Sequence, residues 1–352
     1  MHYKSLFNNN NNCSQEIFNK KLNWFFDIKY CLFDEESKNK IIKKAKELIK
    51  NYKNLKLTKK NKNKIIIFSK KINKKQKLKK KIFNIQLLKI IKKFQEKATS
   101  KYFKHFLIQG SFSSNDYIED WSDFDSFVVL KNSTFDNFKK LLELRSKLKK
   151  IYKEILKICP YQHHGLIIYT EKDLLSYLSG FLPPAALKKN LNLIQSEKII
   201  FNLINFKKNI SKKILIDRLK YIKLGLKNGK YNHHVFNKTQ LTIPFIIGEK
   251  TLHQLFCHIG FMLNIPILFL DAINKSQHKK KSYRIFYKRI KDSQINKFIK
   301  KHEYIRKNWK NFYKRKSYKL NNKIVKFLGP NYFRDCKSVI EKIIKIINLS
   351  TN

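Results

Sequence analysis

The residues best suited to chemistry lie in one acidic window of a very basic chain. Between Phe106 and Leu130 there is no Lys or Arg, although the chain has 78 of these residues among 352. The same window holds five of the 25 acids, which are Asp116, Glu119, Asp120, Asp123 and Asp125. Codon drift toward lysine would have placed Lys here as well, so the window indicates a need for carboxylates without neighbouring cations.

Asp123 and Asp125 are the pair with chemical spacing. They stand at i and i+2 on a predicted strand, Asp123–Leu130, where alternate side chains point to the same side. Two carboxylates this close repel each other unless a cation lies between them. Mg²⁺ (or Mn²⁺) suits two carboxylates that share it with substrate phosphates. A solvated strand end, or a helix cap with a salt bridge, is the alternative explanation.

A Gly-Ser pair precedes the aspartates. Gly110 and Ser111 stand at the end of another predicted strand, His105–Gly110, with 11 residues between Ser111 and Asp123. A glycine lets backbone N–H groups approach a phosphate closely, and a serine hydroxyl adds a donor. An ordinary turn would explain the same pair.

Together these motifs form the string IQGSFSSNDYIEDWSDFDSF. The string resembles the DNA polymerase β-like nucleotidyltransferase superfamily, which writes Gly-Ser after an apolar residue, a spacer of this kind, and then Asp-apolar-Asp-apolar. The WSDFD segment is close to the form that such enzymes use. The resemblance covers residues 81–180, less than a third of the chain.

The resemblance implies an enzyme that transfers a nucleoside monophosphate from an NTP, with ATP the expected nucleotide, to an acceptor and releases pyrophosphate. Asp123 and Asp125 would be catalytic and hold Mg²⁺ or Mn²⁺, and Gly110, Ser111 and Ser113 would bind the nucleotide. Two metal ions would clamp the attacking and leaving oxygens. The acceptor stays open among an RNA end, a small molecule and a protein hydroxyl.

One expected carboxylate is missing. The superfamily usually supplies a third acid from the next strand, but the predicted strand Gln162–Thr170 contains none. His163 or His164 stands near the expected position and could bind metal or act as base, in which case activity would fall below a pH of about 6.5. Glu171 follows the strand. The alternative is a non-catalytic nucleic-acid-binding protein on a degenerate transferase scaffold.

The elements around these motifs predict an α+β fold, a nucleotidyltransferase-type small mixed sheet flanked by mainly helical regions. Apolar periodicity and turn residues predict helices at 81–104, from Ser133 or Thr134 to Cys159, and from Thr170 to Gly180. Strands are predicted at 105–110, 123–130 and 162–170.

Three regions follow from this pattern. Residues 1–80 are a basic, mainly helical region with an amphipathic helix at 38–53, residues 81–180 the transferase domain, and residues 181–352 a mainly helical basic domain. Between residues 275 and 320, basic side chains alternate with aromatic rings. This pattern is typical of single-stranded nucleic-acid contact, or of a lysine-rich helical region whose rings form a core.

The net charge of +53 has two explanations. It is typical of proteins that bind RNA or another polyanion, and it also follows from a residue usage that favours AT-rich codons. The five cysteines are far apart and form no CxxC pair, which favours reduced thiols in a cytoplasmic protein. The most apolar stretch, Leu255–Leu270, is short for a membrane span, so no membrane insertion is expected.

Overall fold

The computed structural model describes residues 15–33, 36–57, 62–71, 89–90, 92–94, 99–114, 116–119, 121–158, 162, 165–178, 182, 184–204, 216–217, 219–220, 223, 235–236, 239–240, 259–260, 262–270, 273, 279–314, 319–320 and 322–349. The chain divides into two compact units. The first consists of Met1–Tyr117 and Ser122–Asn205, and the second of Ile118–Trp121 and Phe206–Asn352.

The first unit combines helices with strands, so the predicted mixed composition is confirmed. Its elements are α1 (Gln15–Phe25), α2 (Ile28–Phe33), α3 (Lys38–Lys53), β1 (Lys62–Ser69), α4 (Thr99–Tyr102), β2 (Phe103–Ile108), α5 (Gly110–Ser113), β3 (Ser126–Leu130), a 3₁₀ turn (Asn132–Phe135), α6 (Phe138–Ile158), β4 (Ile167–Thr170), α7 (Glu171–Leu175), a 3₁₀ turn (Pro184–Lys188), β5 (Leu191–Asn192) and β6 (Glu197–Ile204).

A four-stranded sheet in the order β4-β3-β2-β5 forms the centre of this unit. β3 lies antiparallel to β2 and parallel to β4, with Ser126 opposite Ile108 and Phe127 level with Ile167. A parallel neighbour needs a crossover, and α6 supplies it between β3 and β4. Because β2 and β3 are antiparallel, the chain just after β2 meets the chain just before β3.

The two faces of this sheet are buried against different layers. On one face, Phe106 and Val128 belong to a core that also holds Leu22 of α1, Leu48 of α3 and Leu144 of α6. Both neighbours of Val128 point the other way, and that face packs against β1 and β6, which pair with each other as an antiparallel ribbon. Each large apolar side chain buried here contributes about 1.5–3 kcal/mol.

Several predicted boundaries differ from the observed ones. The helix at 38–53 is confirmed, but β3 begins at Ser126 rather than Asp123, β4 at Ile167 rather than Gln162, and β2 spans Phe103–Ile108. The helix predicted at 81–104 ends at Tyr102 in its described part. Residues 81–88 and Gly180 lie outside the described residues.

The predicted start of the long helix, with Ser133 or Thr134 as its cap, is wrong for a physical reason. The Thr134 hydroxyl donates to the Tyr102 carbonyl oxygen at 3.1 Å, so it does not cap a helix. The side-chain oxygen of Asn137 instead accepts from the Lys139 N–H at 2.9 Å, and α6 starts at Phe138. At the predicted start of the next helix, Thr170 forms a capping box with Asp173, but that helix, α7, ends at Leu175 rather than near Gly180.

Strands also occur where the sequence predicted none. The apolar run within the basic N-terminal region is β1, and the region predicted to be mainly helical after residue 180 contains β5 and β6. β1 and β6 pair over their full lengths, from Lys62 opposite Ile204 to Ser69 opposite Glu197. This pairing spans more than a hundred residues of sequence, so local periodicity could not reveal it.

The described elements of the second unit are mostly helical: β7 (Val235–Phe236), β8 (Thr239–Gln240), α8 (Lys279–Arg289), α9 (Ser293–Lys307), α10 (Trp309–Phe312), β9 (Tyr313–Lys314), β10 (Lys319–Leu320), α11 (Asn322–Leu328) and α12 (Tyr332–Leu349). Of the interleaved rings, Tyr283, Phe286 and Trp309 are buried, which fits the core explanation for them. Among the described residues, no helix is both long and apolar enough to cross a membrane.

The buried ring of His302 in α9 makes the folding stability of this unit depend on pH. Its ring is fully buried, with Nδ1 2.8 Å from the Phe298 carbonyl oxygen and Nε2 3.0 Å from the Tyr332 hydroxyl. Burial lowers the pKa of His302 to about 4. In an unfolded chain a histidine has a pKa of about 6.5. Between that pH and about 4, His302 is therefore protonated in the unfolded state but neutral in the folded state.

We therefore expect the unfolding free energy of this unit to fall by about 3 kcal/mol through His302 as the pH drops from about 6.5 to about 4. Urea denaturation of the wild-type chain and of His302→Gln across this range measures the effect. The variant should be less stable near neutral pH and lack this part of the slope. Parallel slopes for the two proteins would contradict the assignment.

Candidate active site

Gly110 lies at the turn that leaves β2. The backbone N–H of Gln109 donates to the carbonyl oxygen of Asp125 at 3.0 Å, which continues the β2–β3 pairing by one step. Gly110 then adopts φ of +68°, a left-handed conformation that favours glycine, and α5 begins there. The antiparallel pair thus brings the Gly-Ser motif and the Asp-x-Asp motif together.

The contact between Gly110 and Asp125 is direct. A Cβ placed on Gly110 would collide with Oδ2 of Asp125 and lie 3.0 Å from its Cβ and Cγ. The volume that any other residue at 110 would need is therefore filled by this carboxylate. The predicted proximity of Gly110 to the aspartate pair is confirmed at Asp125, and the glycine has a second reason beyond access to phosphate.

Burial alternates along the Asp-Phe-Asp segment. Phe124 is 1% exposed and packs on Phe94 and Phe112, with ring centroids 5.9 and 5.6 Å away. Asp123 and Asp125 on either side of it are only partly buried. Burial thus alternates with the period of two that the i, i+2 spacing predicted, although the segment precedes β3.

Gln162 holds this segment in place. Its Oε1 accepts from the Phe124 N–H at 2.6 Å, its Nε2 donates to the Phe124 carbonyl oxygen at 3.2 Å, and the residue is 2% exposed. A side-chain amide thus takes the place of a neighbouring strand beside Phe124. Gln162 fixes the peptide units between the two aspartates.

The serines after Gly110 have different environments. The Ser113 hydroxyl lies 2.8 Å from the Lys189 carbonyl oxygen and 3.2 Å from that of Gly110, so it is engaged with backbone. The hydroxyl oxygen of Ser111 is buried and, within the described part of the chain, has no hydrogen-bond partner. An unsatisfied buried hydroxyl costs about 1–3 kcal/mol, so Ser111 is the better placed of the two to gain from a bound ligand.

Two further acids, Glu119 and Glu171, have partners of their own. In the second unit, Glu119 forms an ion pair with Lys310 at 2.7 Å. Glu171 accepts from the Asn132 N–H at 2.9 Å, beyond the carboxyl end of β3, whereas Asp125 precedes its amino end. Glu171 therefore cannot serve as the third carboxylate. Asp120, His163 and His164 lie outside the described residues.

The described residues contain no group of three or more His, Cys, Asp or Glu that could hold a metal ion. The donors that the structure brings together are carboxylate oxygens next to a glycine turn and the Ser111 hydroxyl, which has no partner in the described part of the chain. These hard oxygen donors are of the kind that Mg²⁺ prefers when substrate phosphates complete its coordination.

No protein-family model, curated protein or solved structure matches this chain.

Sequence reasoning missed Gln162. A single glutamine before a His pair has no pattern that distinguishes it from a surface residue. Its role depends on β4 lying beside β3, and the only available hint was the resemblance, which made the next strand the place to look.

Replacement of Gly110 should be unusually costly. Gly110→Ala would be destabilised both by the left-handed backbone conformation and by the displacement of Asp125. Gly329, at φ of +82° with open space around it, offers a matched control. We expect Gly329→Ala to cost its unit about 1 kcal/mol and Gly110→Ala at least about 1 kcal/mol more. Native-state hydrogen exchange reports the two units separately. Equal losses would mean that the Asp125 contact is not a constraint.

Loss of the Gln162 side-chain amide should also destabilise the first unit. Gln162→Leu leaves the N–H and carbonyl of Phe124 without partners in a buried position, at a cost of about 2 kcal/mol or more. The exposed Gln195 supplies the control, because Gln195→Leu should stay within about 0.5 kcal/mol. Chemical denaturation of both variants measures the difference, and similar stabilities would argue against the clamp.

Proposed function

We propose that this chain is a Mg²⁺-dependent nucleotidyltransferase that moves a nucleoside monophosphate from an NTP to an acceptor hydroxyl. The observation that carries the proposal is the packing of the Asp125 carboxylate on Gly110, at the point where β2 ends and β3 begins. A strand, a Gly-Ser turn, a short helix and an Asp-x-Asp segment just before the neighbouring strand form the arrangement expected of a nucleotidyltransferase-type sheet. The parallel neighbour β4, reached through α6, adds to this support.

The donor set fits a divalent ion. Asp123 and Asp125 would hold it, because both are partly exposed while Phe124 between them is buried. When bound, Mg²⁺ would neutralise the triphosphate and the charge that develops on the reacting oxygens. No Lys or Arg occurs between Phe106 and Leu130, so no cation from within this window competes for the carboxylates.

The chain's own residues would bind and orient the nucleotide. The Ser111 hydroxyl, which has no partner among the described residues, is available to donate to a phosphate oxygen next to the Gly110 turn. Gln162 keeps the Asp-Phe-Asp backbone fixed through Phe124, so the two carboxylates need not reorganise as substrate binds.

The transfer itself has a simple balance. The acceptor oxygen forms a bond to the α-phosphorus, the bond from that phosphorus to the oxygen that bridges to the β-phosphate breaks, and pyrophosphate leaves. The acceptor proton goes to a base, which we assign to His163 or His164. The support is positional, since the residue before this pair, Gln162, bonds to the peptide between the two aspartates.

Replacing either aspartate should abolish Mg²⁺-dependent nucleotide binding and transfer. Asp123→Asn and Asp125→Asn remove half of the metal-binding charge but also relieve like-charge repulsion, so folding stability should hold or rise. Asp136, an exposed acid paired with Lys140, gives the control Asp136→Asn, which should behave like wild type. Calorimetric titration with each NTP, with and without Mg²⁺, measures binding.

The acceptor is tested by incubation with each α-labelled NTP, Mg²⁺ and either total RNA or cell lysate, asking which fraction gains label. Label that Asp125→Asn no longer transfers supports the proposal. Nucleotide binding without transfer to any fraction would favour the non-catalytic scaffold. Retained transfer in a folded Asp125→Asn protein would refute the assignment.

A further inference from the structure

A second surface of the first unit combines exposed apolar side chains with lysines. It is the outward side of the β1–β6 ribbon, whose inner side, with Ile67, Ile199 and Phe201, packs into the core. Alternation along the two strands defines the outward face, which we call the ribbon face: Lys64, Ile66, Phe68, Lys198, Ile200 and Asn202.

The apolar part of the ribbon face is unusually open. Phe68 is 66% exposed, Ile66 49% and Ile200 48%. The register places Ile66 opposite Ile200 and Phe68 opposite Lys198, so the three apolar side chains are contiguous. Three adjacent large apolar side chains in contact with water are energetically unfavourable. Their exposure indicates a surface that a ligand covers.

The charge of the ribbon face is of one sign. Lys64 and Lys198 are exposed on it, and Lys70 is exposed just after β1. The single acid of the two strands, Glu197, points inward, where its Oε1 lies 2.8 Å from Nδ1 of His105 and accepts from Asn192 at 2.9 Å. Because the Glu197 carboxylate is turned inward, the outward face is positive and complementary to a polyanion.

We propose that the ribbon face binds a single-stranded polynucleotide. Such a chain alternates flat bases, which stack on rings and cover aliphatic groups, with phosphates that pair with lysines. The ribbon face has the same alternation, because the ammonium of Lys198 lies 5.5 Å from the centre of the Phe68 ring. A base on the ring and a phosphate at Lys198 satisfy both groups at once.

Two other occupants fit less well. A second copy of this chain would bring together two molecules of charge +53 and face lysine against lysine. Three apolar side chains are also far below the ~800 Å² per partner of a stable protein interface. A lipid surface would have to take up Phe68 together with the ammonium held beside its ring.

The ribbon face lies close to the candidate active site along a short chain of contacts. Asn190 donates to the Phe68 carbonyl oxygen at 3.3 Å, and the preceding residue, Lys189, accepts from the Ser113 hydroxyl of α5 at 2.8 Å. A strand bound on this face therefore has an end within reach of the Gly110 turn. Its role as the acceptor rests on the proposed function, whereas the binding itself does not.

Fluorescence anisotropy tests the binding without Mg²⁺ or NTP. The probes are labelled oligouridylate and oligothymidylate of about 15 nucleotides, and a duplex of equal length, at salt from about 50 to about 200 mM. We expect Phe68→Ala to weaken binding of the single strands by about fivefold or more and Lys198→Ala to lower the salt slope by about one. The two single-stranded probes show whether the sugar matters.

Matched variants of the same unit control for total charge and hydrophobicity. Leu175, a leucine of α7 that is 50% exposed and is not one of the ribbon-face residues, and Lys153, an exposed lysine of α6, should change affinity by less than about twofold when replaced by Ala. Equal losses in Phe68→Ala and Leu175→Ala, or a preference for duplex, would overturn the proposal. So would binding to phosphatidylserine vesicles, but not to oligonucleotides, that depends on Phe68.

Oligonucleotide binding by the ribbon face can be tested separately from nucleotidyl transfer. Asp125→Asn should bind the single-stranded probes like wild type, since Asp125 is not on the ribbon face. If Asp125→Asn loses transfer but Phe68→Ala binds normally, the transferase assignment stands and the ribbon-face assignment fails. If Phe68→Ala loses binding while no NTP is ever used, the reverse holds.

Discussion

The packing of one carboxylate on one glycine organises the first unit around its candidate site. Asp125 fills the space beside Gly110, so the chain can leave β2 only through a residue without a side chain. The adjacent hydrogen bond from Gln109 to Asp125 sets how far β2 and β3 slide past each other. The turn, the start of α5 and the position of the Asp-x-Asp segment are thus parts of a single constraint.

The layers around the central sheet support that constraint unequally. The helical layer buries Phe124, and the bonds from Gln162 hold its backbone, so the peptide between the aspartates cannot shift without leaving buried polar groups unsatisfied. The ribbon layer covers the opposite face through Ile67, Ile199 and Phe201. The helical layer on one face thus fixes the acidic segment. The ribbon layer on the other face presents the exposed, positively charged ribbon face to solvent.

Negative and positive charge are also separated between the acidic window and the ribbon face. The acidic window contains no Lys or Arg, while lysines are spread through the surrounding sequence. On the ribbon, the inward turn of Glu197 toward His105 removes the only acid from the outward side. A divalent ion at the aspartates and a polyanion on the lysines would each complement one of these two regions.

The sequence by itself determined the motifs and their local geometry. The absence of cations from Phe106 to Leu130, the i, i+2 spacing of Asp123 and Asp125, and the Gly-Ser pair before them are local features. The alternation of burial around Phe124 also matches the period of two that this spacing predicted. The helix at 38–53 and the start of a helix at Thr170 were likewise predictable, because a helical face and a helix start need only neighbouring residues.

Only the tertiary structure decided what depends on distant partners. The β1–β6 ribbon joins segments more than a hundred residues apart, and the amide of Gln162 replaces a strand beside Phe124. The Thr134 hydroxyl donates to the Tyr102 carbonyl oxygen and does not cap a helix. Each of these contacts is selected by which groups the fold leaves side by side, and a linear pattern of residue types carries no information about that choice.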